Sequence, residues 1–113
     1  MAVTTKPGVV FKGFTFPLLT ILDTLVWLDT HPVVGQPPDL VITSGNDSAH
    51  KPKSKHYENL AVDVRAKSFP DLVTKTRFVD ALRKELGPTF TVLHECVGKP
   101  NEHFHLQCAK KKA

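Results

Sequence analysis

Apolar residues recur along the chain with two different periods. Leu18, Ile21, Leu22, Leu25 and Leu28 follow one another at helical spacing, which predicts a helix from about Pro17 to near Thr30. Pro17 suits a first helical turn, where its missing N–H costs nothing, and Pro32 stands beyond the end. Pro32, Gly35, Pro37 and Pro38 mark a loop, and Leu40-Val41-Ile42-Thr43 reads as a short buried strand. From Leu60 to Val64 the pattern alternates. Leu60, Val62 and Val64 face one way, and Ala61, Asp63 and Arg65 face the other. Leu72, Val79, Leu82 and Leu86 form the stripe of a second helix opened by Pro70, with Phe78 beside it and Gly87-Pro88 as its stop. Phe90 to Leu93 is a further strand, and Gly98 and Pro100 place a turn between Val97 and Asn101. In the last strand, His103 to Gln107, Phe104 and Leu106 face opposite to His103 and His105. Residues 1–14 read as an irregular arm or short strand, and Ser44 to Tyr57 as a long polar loop of the kind that often carries function.

These elements predict an α+β fold: a small antiparallel sheet with helices packed on one face and polar side chains on the other. The chain of 113 residues matches one domain, since domains usually run to roughly 100–150 residues. With 41% hydrophobic and 23% charged residues it is too apolar for a disordered chain. No run approaches the ~20 apolar residues of a membrane span, because Asp23 interrupts the most apolar stretch, Leu18 to Leu28. The first residues lack a basic segment followed by an apolar one, so the expectation is cytoplasmic synthesis without a signal peptide. Cys96 and Cys108 are too few for a disulfide framework. Counted outward from a hairpin centred near Lys99, Cys96 falls opposite Glu102 and Cys108 opposite Phe90, so no bridge is expected. The net charge of +4 is modest, and Lys110-Lys111-Lys112 in the tail 109–113 supply part of it. Dispersed charge argues against a nucleic-acid partner, which would call for basic clusters interleaved with aromatic residues.

Histidine is the unusual component, with six in the chain. His103 and His105 project from the polar face of the last strand, Asp63 from that of an earlier strand, and His56 precedes Asp63 on the loop. A single strand histidine is more often a surface or hydrogen-bonded residue than a ligand. Together, however, imidazole and carboxylate are the usual ligands of a catalytic zinc, which keeps a coordination position open. The mixed donor set suits Zn²⁺ better than Mg²⁺ or Ca²⁺. Such a site needs a nearby carboxylate to accept a proton; Glu102 lies three residues before His105, and Glu95 is the second candidate.

The segment Ser54-Lys-His56-Tyr-Glu-Asn59-Leu-Ala61-Val-Asp63 resembles the motif S-x-H-x-x-G-x-A-x-D of the zinc D-Ala-D-Ala carboxypeptidases and L-alanyl-D-glutamate endopeptidases, which share a fold with the hedgehog signalling domain. Glu102-His103-Phe104-His105 is similar to that family's second motif, and with the order of strands, loop and helix the resemblance covers about residues 39–107. The resemblance implies a hedgehog/DD-peptidase-like fold and one Zn²⁺ held by His56, Asp63 and His105. It further implies Glu102 as general base, His103 as an auxiliary histidine at the substrate, and Ser54 as a residue positioning the ligand loop. Because Glu102 and His105 have opposite parity on a straight strand, Glu102 would have to be swung inward at the strand mouth.

Two positions depart from the family pattern. Asn59 stands where Gly is usual, and Asn tolerates positive φ better than most residues. Asp47 stands where many members have a substrate-binding Arg, so Lys51, Lys53 or Arg65 would have to supply the positive charge. The resemblance implies a zinc metallopeptidase cutting the stem peptide of peptidoglycan; a small, mildly basic chain without a leader suits a phage endolysin that reaches the cell wall after release, and a monomer is expected. The competing expectation is a non-catalytic zinc-binding domain of the same fold that binds a partner or wall fragment. Glu102 separates the two, since a base beside an open zinc position serves hydrolysis.

Overall fold

The computed structural model describes residues 2–45 and 61–108. Its elements run β1 (Ala2–Thr5), α1 (Phe16–Thr30), β2 (Asp39–Ser44), β3 (Ala61–Arg65), α2 (Leu72–Leu86), β4 (Phe90–Glu95) and β5 (His103–Cys108). The strands form one five-stranded sheet in the order β1-β2-β3-β5-β4. The α+β class follows, but the sheet is mixed rather than antiparallel. β1 pairs with β2 in parallel, Val3 beside Leu40, while the remaining pairings are antiparallel. The parallel pair arises because α1 carries the chain back before β2 begins, so both strands start from the same end.

Both helices are capped by their own sequence. Thr15 Oγ1 accepts from the Leu18 N–H at 3.2 Å, with Pro17 in the first turn of α1. Asp71 Oδ1 accepts from the Thr74 N–H at 2.8 Å and caps α2, so this helix begins after Asp71 and not at Pro70. Those hydrogen bonds from Thr74 hold the Asp71 carboxyl below its ordinary range. Gly87, at φ 82°, ends α2 in a conformation that a side chain would oppose.

One core lies between the helices and one face of the sheet. Leu18, Ile21, Leu25 and Leu28 of α1 and Phe78 and Leu82 of α2 meet Leu40, Ile42, Val62, Val64, Val92, Phe104 and Leu106 of the strands. Phe69, Phe78 and Phe104 form an aromatic trio with ring centroids 4.8–5.2 Å apart. Leu72, expected in the α2 stripe, is instead exposed. It stands in the first turn, and Thr74 takes the inward position at the start of the helix. Leu60, expected to open β3, lies outside the described residues.

Cys108 pairs with Phe90 across the β4–β5 hairpin, as counted from the sequence, and both cysteines are free thiols. No helix among the described residues is long and apolar enough to cross a membrane.

The face of the sheet away from the helices carries polar side chains, and strand alternation decides which. In β5, Phe104 and Leu106 are buried in the core, so His103, His105 and Gln107 project the other way. In β3, Val62 and Val64 fill the core and Asp63 and Arg65 project outward. The candidate site is therefore a product of strand parity and register.

Candidate metal and acid–base site

Register sets the first contact. Asp63 of β3 stands directly opposite His105 of β5, and the His105 Nδ1 lies 2.8 Å from the Asp63 Oδ1. One step along, Arg65 is opposite His103, which is in turn opposite Glu95 of β4. His103 Nε2 lies 3.0 Å from Glu95 Oε1 and 3.9 Å from Asp63 Oδ1. Its Nδ1 donates to the Asn101 carbonyl at 2.8 Å. A line of side chains thus runs Gln107, His105, Asp63, His103, Glu95 across three strands. The β2 strand is irregular beside it: Ile42 pairs with Val64 but Ser44 with Asp63, so Thr43 is an extra residue. Bulges of this kind re-aim side chains and are common beside functional sites.

His105 is held at both ring nitrogens. Nδ1 meets the Asp63 carboxylate, and Nε2 meets Gln107 Oε1 at 2.7 Å. Burial alone would push the imidazole pKa down. The hydrogen bonds to Asp63 and Gln107, with the negative charges of Asp63 and Glu95, outweigh burial and raise it above the ordinary histidine value.

Glu102 is placed differently. It shares the parity of Phe104 and Leu106, so its side chain turns toward the helices, and it is 5% exposed. Lys75 Nζ of α2 lies 2.9 Å from one carboxylate oxygen and 3.1 Å from the other. His94 Nε2 of β4 completes the triad. Burial pushes the Glu102 carboxyl up, but the hydrogen bonds from Lys75 and His94 and the Lys75 charge prevail and hold it below the ordinary carboxylate range. The swing toward His105 expected at the strand mouth is therefore not seen: Glu102 keeps its strand parity and meets Lys75 and His94 instead. Glu95 is the carboxylate that contacts the His103 side chain on the open face.

Of the residues proposed from sequence, Asp63, His103 and His105 come together, and Arg65 and Glu102 line a cleft of about 350 Å³ beside them. His56, Ser54, Lys51 and Lys53 lie outside the described residues. Among the described residues, no group of three His, Cys, Asp or Glu side chains is arranged to hold a metal ion. The pair that is described suits one in chemistry. His105 Nδ1 and Asp63 Oδ1 are both ordinary metal donors, and the Gln107 side-chain oxygen would keep the proton on Nε2, leaving Nδ1 to coordinate.

Sequence reasoning missed Gln107, and it offered Glu95 as a second candidate base without placing it against His103. Gln107 stands two residues beyond His105 and so on the same face, a signal present in the alternation itself. The Glu95–His103 contact follows from the same hairpin count that placed Cys108 opposite Phe90. Compared with protein-family models, curated proteins and solved structures, the chain matches none.

Proposed function

We propose that this protein is a zinc peptidase acting on the stem peptide of bacterial peptidoglycan, with Asp63 and His105 as two of its metal ligands and His56 as the third. The observation that supports this reading best is the direct opposition of Asp63 and His105 on β3 and β5, two donors drawn from two separate sequence motifs. Bound zinc would polarise the scissile carbonyl and activate water for attack. The chain's own residues would do the rest. His103, beside Asp63, lines the cleft where a peptide carbonyl would lie; with Nδ1 on the Asn101 carbonyl and Nε2 on Glu95, it would have to exchange Glu95 for the substrate oxygen to stabilise charge developing there.

The proton acceptor is one of two carboxylates. The motif resemblance implies Glu102. Position favours Glu95, because its carboxylate is on the open face against His103, while that of Glu102 is bound by Lys75 and His94. A carboxylate held below its usual pKa by a half-buried cation is a weak base.

The test is digestion of purified peptidoglycan by the zinc-loaded protein and by protein treated with chelator, with mass analysis of the fragments. The expected result is zinc-dependent release of peptide fragments, abolished in Asp63→Ala and His105→Ala. Glu95→Gln and Glu102→Gln, each checked for retained zinc, decide between the two acceptors. Bound zinc with no fragments from any stem peptide would make the protein a non-catalytic zinc domain that binds a wall fragment. No bound zinc would remove both readings.

A further inference from the structure

The cleft beside Asp63 and His103 is lined by three cations from separate parts of the chain: Lys6, Arg65 and Lys67. Lys6 continues β1, its backbone N–H donating to Ile42 O at 2.9 Å; Arg65 ends β3, and Lys67 follows two residues later. None of the three side chains has an ion-pair or hydrogen-bond partner among the described residues. The carboxylates nearby are differently placed. Asp63 is bonded to His105, Glu95 to His103, and Glu102 to Lys75 and His94. The depression therefore carries an excess of positive charge that the described part of the protein leaves uncompensated.

Like charges gathered in one concavity repel each other, and a concave surface focuses their field. A bound anion relieves that repulsion. The guanidinium of Arg65 presents a planar fork suited to a carboxylate, while Lys6 and Lys67 act as point charges. A volume of about 350 Å³ falls at the small end of ligand clefts, sufficient for a short peptide segment. A polyanion would instead call for a basic stripe running along the surface.

The geometry points to a carboxylate-binding subsite: Lys6, Arg65 and Lys67 receive a free carboxylate of an acidic peptide and set it beside Asp63 and His103. This inference rests on the peptidase reading for the identity of the ligand as a peptide, and it makes the cleft select acidic over amidated peptides.

The test uses the full chain and two synthetic stem tetrapeptides that differ only in whether the glutamate carboxylate is free or amidated. Affinity is measured by calorimetric titration of zinc-loaded protein at low and high salt, and cleavage is followed separately. The free acid is expected to bind at least about tenfold more tightly, the scale of a charge-assisted contact, and to lose that advantage at high salt. The double variant Lys6→Gln, Lys67→Gln, both exposed positions, is expected to retain zinc and to erase the difference. Equal affinity for the two peptides, or a double variant that still discriminates, overturns the subsite. So does a DNA oligomer that binds more tightly than the acidic peptide and loses affinity in the double variant. Discrimination in binding keeps the subsite even if purified peptidoglycan yields no fragments, a result that removes the peptidase reading alone, and cleavage of both peptides at equal kcat/KM does the reverse.

Discussion

His105 and Asp63 face each other across β3 and β5 with Nδ1 and Oδ1 2.8 Å apart, and Gln107 holds the far side of the same imidazole ring. The ring is therefore fixed by partners at both nitrogens. If His105 binds zinc through Nδ1, Gln107→Leu frees the ring to rotate and removes the acceptor that keeps the proton on Nε2. Losses of about 10–100-fold in metal affinity are usual for such outer partners. Chelator competition is expected to show a loss of that size in Gln107→Leu and recovery in Gln107→Glu, which restores an oxygen acceptor. An unchanged zinc affinity in Gln107→Leu would show that the ring is positioned by Asp63 alone.

The same contact makes His105 a reporter of pH. Its folded pKa is raised, so its contribution to stability is present in full below the unfolded histidine value and is lost as pH rises through the folded value. In chelator-treated protein, NMR titration of the His105 ring is expected to show a midpoint above that of an ordinary histidine. Asp63→Asn, which removes the main charge partner, is expected to bring it down. Zinc competes with the Nδ1 proton, so its affinity is expected to climb through the same pH window.

Glu102 bears on stability with the opposite sign. Its folded pKa is depressed, so its contribution is present above the unfolded carboxylate value and is lost as pH falls through the folded value. Removing one member of a buried, paired group leaves the others uncompensated, a change that costs about 3 kcal/mol or more. Urea unfolding at neutral pH is expected to show a loss of that order for Glu102→Gln, shrinking as the pH is lowered. In the variant Lys75→Met the further cost of Glu102→Gln is expected to be smaller, because the two residues share one interaction. Additive costs would mean that the Lys75–Glu102 pair contributes nothing.

Parity made much of this site legible before any coordinates. The alternation in His103–Gln107 put both histidines on the open face, and that of 61–65 put Asp63 there with them. The hairpin count gave the β4–β5 register directly, because a turn fixes pairing by number alone. Parity also warned of Glu102, whose phase with Phe104 and Leu106 turns it toward the core; spacing from His105 along the sequence carried no information about which face it would use. The parallel pairing of β1 was not legible, since four residues without strong alternation reveal neither partner nor direction. Nor was the outward position of Leu72, where the Asp71 cap sets the start of α2 and so the phase of its first turn. The cationic cleft was partly visible in Arg65, but Lys6 joins it through tertiary contacts alone.

Gly45 ties the N-terminal arm to the site. It follows Ser44, the β2 residue opposite Asp63, and a Cβ built on it would lie 2.5 Å from the Val10 carbonyl oxygen and 2.9 Å from the Phe11 ring. A carbonyl oxygen belongs to the backbone and yields less readily than the end of a side chain, so alanine at this position must displace the arm. Overpacking of this kind costs about 1–3 kcal/mol. Gly45→Ala is expected to lower the unfolding midpoint accordingly and to shift the NMR resonances of Phe11 and of Asp63, on the strand beside it. Gly87→Ala serves as the contrast, because its Cβ would meet nothing within 4 Å and its penalty comes from backbone conformation alone. It is expected to destabilise the protein while leaving the Asp63 resonance in place. A Gly45→Ala protein as stable as the parent, with Asp63 undisturbed, would show that the arm is not packed against this end of β2.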